Sequence, residues 1–254
     1  TGCHKDRRLR SFLDLQLKLY SQEPANRTAA LYGATVLQMA QSPRGLWHLQ
    51  GSMQILSDSL KDSFLRDGGS LLIGHRVTKI LSNKNPNIFD VNVIDRRKNL
   101  IELKASDIVF SLPPQSLLDL IPIDGVLSKS YRENIKKLPK PSGALVFYGA
   151  LRRADLPVDC PGHIQIFDEN FGSLFISISL EDDQRAPAGM ATLIASVFVD
   201  IDQWSNLDSQ SYASKKDIVS KQIRTILNKK FDLLETSWDH HELSTPRSFE
   251  RWTG

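Results

Sequence analysis

Cysteine is scarce in this 254-residue sequence, which contains only Cys3 and Cys160. Two cysteines cannot form a disulfide framework or, by themselves, a four-ligand zinc site, and their scarcity favours a reducing compartment. No apolar run approaches the roughly 18 residues of a membrane-spanning helix, and no secretory signal peptide opens the sequence. Lys and Arg number 32 against 29 for Asp and Glu, so bulk charge gives no argument for a nucleic-acid partner.

What the sequence does contain is typical of a folded protein. Hydrophobic residues make up 41% and charged residues 24%, which excludes a disordered tail or a fibrous repeat. The length corresponds to one large domain or two small ones, and it is sufficient to bury a core. One boundary is indicated near 139–142, which divides residues 1–140 from 141–254. Neither Thr1 nor Gly254 resembles a natural terminus, so we expect a piece of a longer protein.

Hydrophobic periodicity separates helical from strand-rich stretches. The helix candidates are 6–20, 28–40, 52–65, 115–120, 126–137 and 215–229. The strand candidates are 70–73, 77–81, 88–94, 100–103, 107–112, 142–151, 163–167, 173–180, 190–200 and 238–243. The run 107–112 is apolar, as expected of a strand that is buried on both faces, whereas 175–179 alternates, which predicts one wet face.

Several motifs follow one another along the chain, and their order carries more information than any one of them. They are a glycine-punctuated loop before a helix (Gly45–Met53), a double glycine after that helix (Gly68-Gly69), a strand (Val77–Ile80), the run Ala-Ser-Asp-Ile-Val-Phe-Ser-Leu-Pro-Pro (105–114), the stretch that ends in Arg-Ala-Pro-Ala-Gly (176–189), and Ser-Thr-Pro-Arg-Ser-Phe-Glu-Arg-Trp-Thr-Gly (244–254). The set resembles the FAD-dependent amine-oxidase-like superfamily and, within it, the carotenoid desaturases and carotenoid isomerases.

The sequence also departs from that family pattern. The usual double glycine of the loop is Gly51-Ser52 here, and its usual proline is absent. The sequence has no Gly-x-Gly-x-x-Gly to hold a pyrophosphate at a helix N-terminus, and no Gly-Asp-x-x-x-Pro-Gly near its end. The resemblance therefore implies the middle part of such an enzyme, which by itself binds FAD weakly or not at all.

The resemblance implies an α+β fold with a mostly antiparallel substrate-domain sheet covered by helices. Residues 1–140 would hold a helical segment, the glycine loop and part of a flavin domain, and residues 141–254 would hold the substrate-domain sheet. It implies contacts with FAD at Val77, Ser111 and Gly51, the first through its backbone. It also places three residues at the substrate cavity, namely Trp47, His48 and Met53. It assigns no catalytic residue.

Each of these residues also has a structural interpretation. A valine such as Val77 is common in any half-buried strand, and a tryptophan such as Trp47 is common as a packing residue at a domain boundary. A histidine such as His48 is usually a structural residue whose hydrogen bonds are made within the fold. Gly51 is equally explained by a backbone angle that other residues avoid. The run Asp239–Glu242 contains two histidines, but neighbouring residues on a strand point to opposite faces, so we predict no metal site.

The function implied by the resemblance is desaturation of an acyclic or monocyclic carotene, with hydride passing to FAD. Carotenoid cis–trans isomerisation is an alternative within the family, and an amine or porphyrinogen oxidase comes third. A lipophile-binding or interaction domain without flavin is the alternative of another class. A substrate that dissolves in membranes implies a cytoplasmic, peripheral membrane enzyme. An apolar groove left exposed in the isolated chain would favour dimerisation.

Overall fold

The computed structural model describes residues 5–40, 49–181 and 183–253. It combines helices with antiparallel sheets, which confirms the predicted α+β class. The chain divides into two compact units. Residues 1–59 together with 141–254 are termed the sheet unit, and residues 60–140 the meander unit. The domain division expected from the sequence stays a prediction.

The helices and strands have the following bounds. The helices are α1 (Arg7–Ser21), α2 (Ala30–Ala40), α3 (Gln54–Arg66), α4 (Leu117–Leu120), α5 (Lys129–Lys136), α6 (Asp202–Ser205), α7 (Ser209–Phe231) and α8 (Pro246–Thr253). The strands are β1 (Arg76–Ser82), β2 (Phe89–Ile94), β3 (Leu100–Ala105), β4 (Gly143–Arg152), β5 (His163–Asp168), β6 (Gly172–Ile178), β7 (Met190–Val199) and β8 (Trp238–Ser244).

The meander unit is built on three antiparallel strands in the order β1-β2-β3. Asp95 forms the turn between β2 and β3, because its carboxylate accepts the backbone N–H groups of Arg97 and Asn99, each at 2.8 Å. Such Asx turns explain why aspartate is frequent between strands. The register of β1 against β2 shifts between Val77 and Lys79, which marks a β-bulge.

The sheet unit contains five antiparallel strands in the order β5-β6-β7-β4-β8. One face of this sheet, termed the inner face, is buried: Phe147, Leu174, Ile176 and Leu193 are all fully inaccessible to solvent. The opposite, outer face carries the alternate residues of each strand. Near β5, the outer face is in contact with α1, where the Gln165 side chain donates to the Leu15 carbonyl at 2.8 Å.

Helix α7 completes the inner core. The helix begins after Asp208, whose carboxylate accepts the N–H groups of Gln210 and Ser211 and so satisfies two donors of the first turn. Its buried residues Ile223, Leu227 and Phe231 are spaced by four and therefore lie along one stripe. These residues belong to the same core cluster as the inner face of the sheet.

Some elements differ from their prediction. The strands predicted at 70–73 and 107–112 are wrong, because neither stretch pairs with any described strand. An apolar composition alone does not form a strand without a partner, and Val109 is 95% exposed. The resemblance also implies that Ser111 lies at the end of the strand predicted at 107–112, and this expectation is wrong because no strand forms there. Helix α7 begins six residues before the predicted Lys215, and the short helices α6 and α8 were not predicted. No described helix has both the length and the apolar character needed to cross a bilayer.

Candidate functional site

A cleft of about 480 Å³ lies within the meander unit, and its lining is mostly aliphatic. Residues from β1, β2 and β3 meet residues from 107–112 here, among them Val77, Ile80, Val91, Leu103, Phe110 and Ser111. The β-bulge is what allows Val77 and Ile80 to line the same cleft. In a regular strand two residues three positions apart point to opposite faces, and an extra residue re-aims one of them.

This meander cleft brings together two residues for which the sequence predicts contact with FAD. Val77 and Ser111 both line it, together with the charged residues Lys104 and Asp107. Val77 is 38% exposed, so its surroundings are accessible to a ligand. Its mostly aliphatic lining, in which one cation is accompanied by one anion, offers apolar contact to a flat ring system. The role of both residues in binding FAD stays a prediction.

The described part of the glycine loop, residues 49–53, belongs to the sheet unit. Gly51 has a φ of 91°, a backbone conformation that favours glycine, and a Cβ there would clash with Ile55 Cδ1. Its N–H donates to the Asp183 carbonyl at 2.7 Å. Met53, two residues further, is 69% exposed. Trp47 and His48, which the sequence places at the substrate cavity, lie outside the described residues.

A second cleft, of about 500 Å³, lies on the outer face of the five-stranded sheet and is termed the sheet-face cleft. Its lining residues are Ser52, Tyr148, Gly149, Ala150, Gln184, Arg185, Thr192, Ile194 and His240. The strand pairing explains why they meet. Ala150 on β4 lies opposite Thr192 on β7 and opposite His240 on β8.

Sequence reasoning missed this cleft because its residues are far apart in the chain. The alternation in β4 and β7 shows that Tyr148, Ala150, Thr192 and Ile194 are outward-facing positions. It does not show that β4 pairs with β7 on one side and β8 on the other. Burial, and then the charge of Glu242, raise the pKa of Tyr148, so its hydroxyl stays protonated and able to donate at neutral pH.

The rim of the sheet-face cleft is fixed by a buried ion pair. The Asp183 carboxylate accepts the Arg185 side chain at 2.6 Å, the Leu180 N–H at 2.6 Å and the Arg185 N–H at 3.0 Å. Burial on its own would raise the pKa of Asp183. These hydrogen bonds and the charge of Arg185 outweigh burial and lower that pKa to about 2. The backbone carbonyl of Asp183 also accepts the N–H of Gly51. The loop that contains Asp183 therefore supports both the sheet-face cleft and the glycine loop.

The histidines of β8 point to different sides of the sheet. His240 lines the sheet-face cleft, whereas the ring of His241 lies 6.0 Å from that of the inner-face residue Phe147 and contacts the Arg224 guanidinium. Burial, followed by the charge of Arg224, lowers the pKa of His241. Among the residues that the structure describes, no three His, Cys, Asp or Glu side chains are grouped as metal ligands.

The chain is similar to two curated carotenoid enzymes over nearly its whole length. It is 26% identical to prolycopene isomerase 1 of an Oncidium hybrid cultivar, over 98% of this chain and 43% of that protein. It is 24% identical to the prolycopene isomerase of Arabidopsis thaliana, over 98% of this chain and 42% of that protein. The resemblance to the carotenoid desaturases and isomerases is confirmed. The chain spans less than half the length of these relatives.

The fold of the chain is also shared with a solved structure. A crystal structure of a Pyrococcus furiosus protein matches 93% of this chain and 53% of that chain, with a TM-score of 0.57 and 14% sequence identity. At that identity the likeness concerns the fold alone. No protein-family model matches the sequence. The relatives' names describe both of them as chloroplastic.

Proposed function

We propose that the chain is part of a flavin-dependent enzyme that acts on carotenoids, with cis–trans isomerisation as its first candidate reaction. The observation that carries the proposal is the match to prolycopene isomerases along nearly the whole chain, and the sheet-face cleft, of about 500 Å³, supplies a concave surface on which such a substrate would lie. Similarity to prolycopene isomerases over 98% of the chain supports the carotenoid substrate and favours isomerisation over desaturation. The proposal concerns a longer protein that contains this chain.

The residues present fit part of the cofactor. Val77 and Ser111 would contact FAD at the meander cleft. Gly51, in the sheet unit, is proposed as a separate contact with FAD, where the lack of a side chain would allow a close backbone approach. When bound, a flavin would supply the hydride acceptor for desaturation or the reduced state that assists isomerisation. The chain's own residues would bind and orient an apolar polyene and exclude water from it, with Trp47, His48 and Met53 at the substrate cavity.

The first experiment uses the longer protein, purified and reduced under anaerobic conditions, and a poly-cis carotene. We expect the all-trans isomer to form with an unchanged number of conjugated double bonds, as measured by chromatography and absorption. In a parallel sample whose flavin is left oxidised, a red-shifted polyene band together with flavin bleaching would assign desaturation instead. A protein that contains no flavin and binds the polyene without converting it would contradict the enzyme proposal and favour a lipophile-binding module.

The isolated chain is proposed to bind FAD weakly or not at all, because its sequence lacks the glycine motif for the pyrophosphate. Equilibrium dialysis of the 254-residue chain against FAD measures this directly. Exposed apolar residues such as Val109 and Ile123 support dimerisation of the isolated chain, which light scattering would detect. The cytoplasmic, peripheral membrane location also stays a proposal, and it is tested by flotation with liposomes.

A further inference from the structure

A further cleft, termed the cationic cleft, lies within the meander unit. It has a volume of about 390 Å³ and shares only Leu120 with the meander cleft. Its lining comes from β1, from α5 and from the segment that precedes α5. The charged residues of this lining are Lys79, Asp119, Arg132 and Lys136. Three cations therefore face one carboxylate here.

Arg132 is the buried member of this group, since only 7% of it is exposed. Its Nη2 donates to the Pro122 carbonyl and, at 2.8 Å, to the Ile121 carbonyl, which anchors the segment before α5. Its Nε is sealed from solvent and has no hydrogen-bond partner. Its Nη1 makes no hydrogen bond with any described residue. Nη1 is therefore the nitrogen that remains for a ligand in the cleft.

The positive charge of Arg132 has no counter-ion in the described part of the chain. Asp119 lines the same cleft, but it forms no ion pair with Arg132. Lys79 likewise forms no ion pair with a described residue, and Lys136 has only the exposed Glu133, at 3.0 Å. A buried cation that no anion compensates costs free energy. The two backbone carbonyls explain why a donor is present at Arg132, but not why that donor is charged.

The placement of the cations suits a phosphate group. Arg132 and Lys136 are four residues apart on α5 and share one face of that helix, while Lys79 comes from β1. A phosphate monoester carries a charge of about −2 and accepts hydrogen bonds through three oxygens, in several directions. A carboxylate carries one charge in one plane. Arginine binds phosphate through its fork of N–H groups, and lysine binds it as a point charge.

We propose that the cationic cleft binds a phosphate group, with Arg132 and Lys79 as its main hydrogen-bond donors. Two sources offer this chemistry, namely a free phosphate monoester and the headgroup of an anionic lipid. Ile123, which lines the cleft and is 87% exposed, would lie beside the organic part of either ligand. The site differs from the residues proposed to contact FAD and polyene, so its test does not depend on the proposed function.

The test is isothermal titration calorimetry of the 254-residue chain with glycerol 3-phosphate and, at the same ionic strength, with acetate. We expect saturable binding of glycerol 3-phosphate and at least about tenfold weaker binding of acetate. Lys79→Gln should weaken the binding of glycerol 3-phosphate about tenfold. Arg132→Gln should abolish it, and a thermal melt shows whether that variant folds. If it does not fold, the exposed Lys79 decides the question.

Lys84→Gln is the matched control, because it removes the same charge from the loop between β1 and β2 but does not line the cleft. It should change the affinity by less than about twofold, since salt screens a distant charge.

Vesicles of phosphatidylcholine, with and without phosphatidic acid, distinguish the two sources by co-sedimentation. Binding that requires both phosphatidic acid and Lys79 would assign the lipid headgroup. Binding of glycerol 3-phosphate that requires Lys79, without vesicle binding, would assign a free phosphate compound. Equal affinity for acetate and glycerol 3-phosphate would overturn the inference, as would equal losses from Lys79→Gln and Lys84→Gln. Failure to bind either phosphate probe would also overturn it and would leave the proposed function standing.

Discussion

The two sheets of this molecule differ in how completely their apolar faces are covered. On the inner face of the five-stranded sheet, Phe147, Leu174, Ile176 and Leu193 are fully buried, because α7 belongs to the same core. In the three-stranded meander, Ile80 and Val93 are buried, but Val77 and Leu103 are more than a third exposed. The larger sheet thus finds its partner within the described chain, while the smaller one retains an open apolar cleft.

The largest expected effect comes from opening the core of the larger sheet. Phe147→Ala would remove a fully buried ring that packs edge-on against Trp238 at 5.4 Å. It should lower the free energy of unfolding by about 3–5 kcal/mol. Urea unfolding followed by tryptophan fluorescence reports on this unit, since all four tryptophans of the sequence lie within it.

Phe167→Ala provides the control for that substitution. Phe167 lies on β5 in the same sheet, but 62% of it is exposed. Its truncation should change the unfolding free energy by less than about 1 kcal/mol, because little apolar area returns to water. Similar losses from both substitutions would mean that the inner face is not the dominant core of the unit.

A second, smaller effect concerns the buried ion pair of the sheet unit. The fold lowers the pKa of Asp183 from 3.8 to about 2. A pKa difference of that size corresponds to about 2 kcal/mol of stability at neutral pH, so Asp183→Asn should lower the free energy of unfolding by that amount. A carboxyl whose folded-state pKa is lowered stabilises the protein above its unfolded pKa. The native chain should therefore lose this contribution as the pH falls from about 4 to about 2.

The measurement for Asp183→Asn is urea unfolding of both chains at several pH values. The difference between native and variant should shrink towards zero at the acid end. Asp239→Asn removes one exposed carboxylate from the same unit and should change stability at pH 7 by less than about 0.5 kcal/mol. If the unfolding free energies of the native chain and the Asp183→Asn variant differed by the same amount at every pH, that result would contradict the ion-pair explanation.

The strand alternation that fixes this core was predictable from the sequence, and the cleft was not. The strand was predicted at 142–151, and the buried residues Leu145, Phe147 and Leu151 alternate with outward residues along β4, so the inner face follows from the same local pattern. Helix α7 was predicted too short because its first turn, Ser209–Tyr212, is polar, although Asp208 is a recognisable cap. The meeting of Ala150, Thr192 and His240 depends on which strands pair, and pairing across the chain has no local signature.

The meander shows the opposite failure. The run 107–112 has the composition of a strand buried on both faces, yet it has no partner among the described strands. Val77 and Ser111 were chosen by family resemblance, and the structure places both at the meander cleft. The family motifs therefore selected two residues that share a cleft, although the hydrophobic pattern of 107–112 gave the wrong secondary structure for that stretch.

A smaller effect is expected from a single buried hydrogen bond of the sheet unit. The Tyr212 and Thr245 hydroxyl oxygens lie 2.8 Å apart, and Thr245 is fully buried. Tyr212→Phe should lower the unfolding free energy by about 1 kcal/mol. Tyr131→Phe, at a residue that is 47% exposed in the meander unit, should be nearly neutral. Equal effects of the two substitutions would show that the buried pair contributes nothing specific.

The smallest effect is expected at Val109, and it tests most directly whether the apolar cleft of the meander is open. Because Val109 is 95% exposed, Val109→Thr in this chain should change stability by less than about 0.5 kcal/mol. Val93→Thr, at a site only 3% exposed in the same unit, should cost about 1–3 kcal/mol, since it buries an unpaired hydroxyl. Amide hydrogen exchange in β1–β3 measures both.

If Val109→Thr lowers the free energy of unfolding only in a longer protein that contains this chain, segments outside the chain must cover residues 107–112. An effect of the same size in both proteins would mean that this apolar run stays exposed, and that its resemblance to a buried strand reflects composition alone.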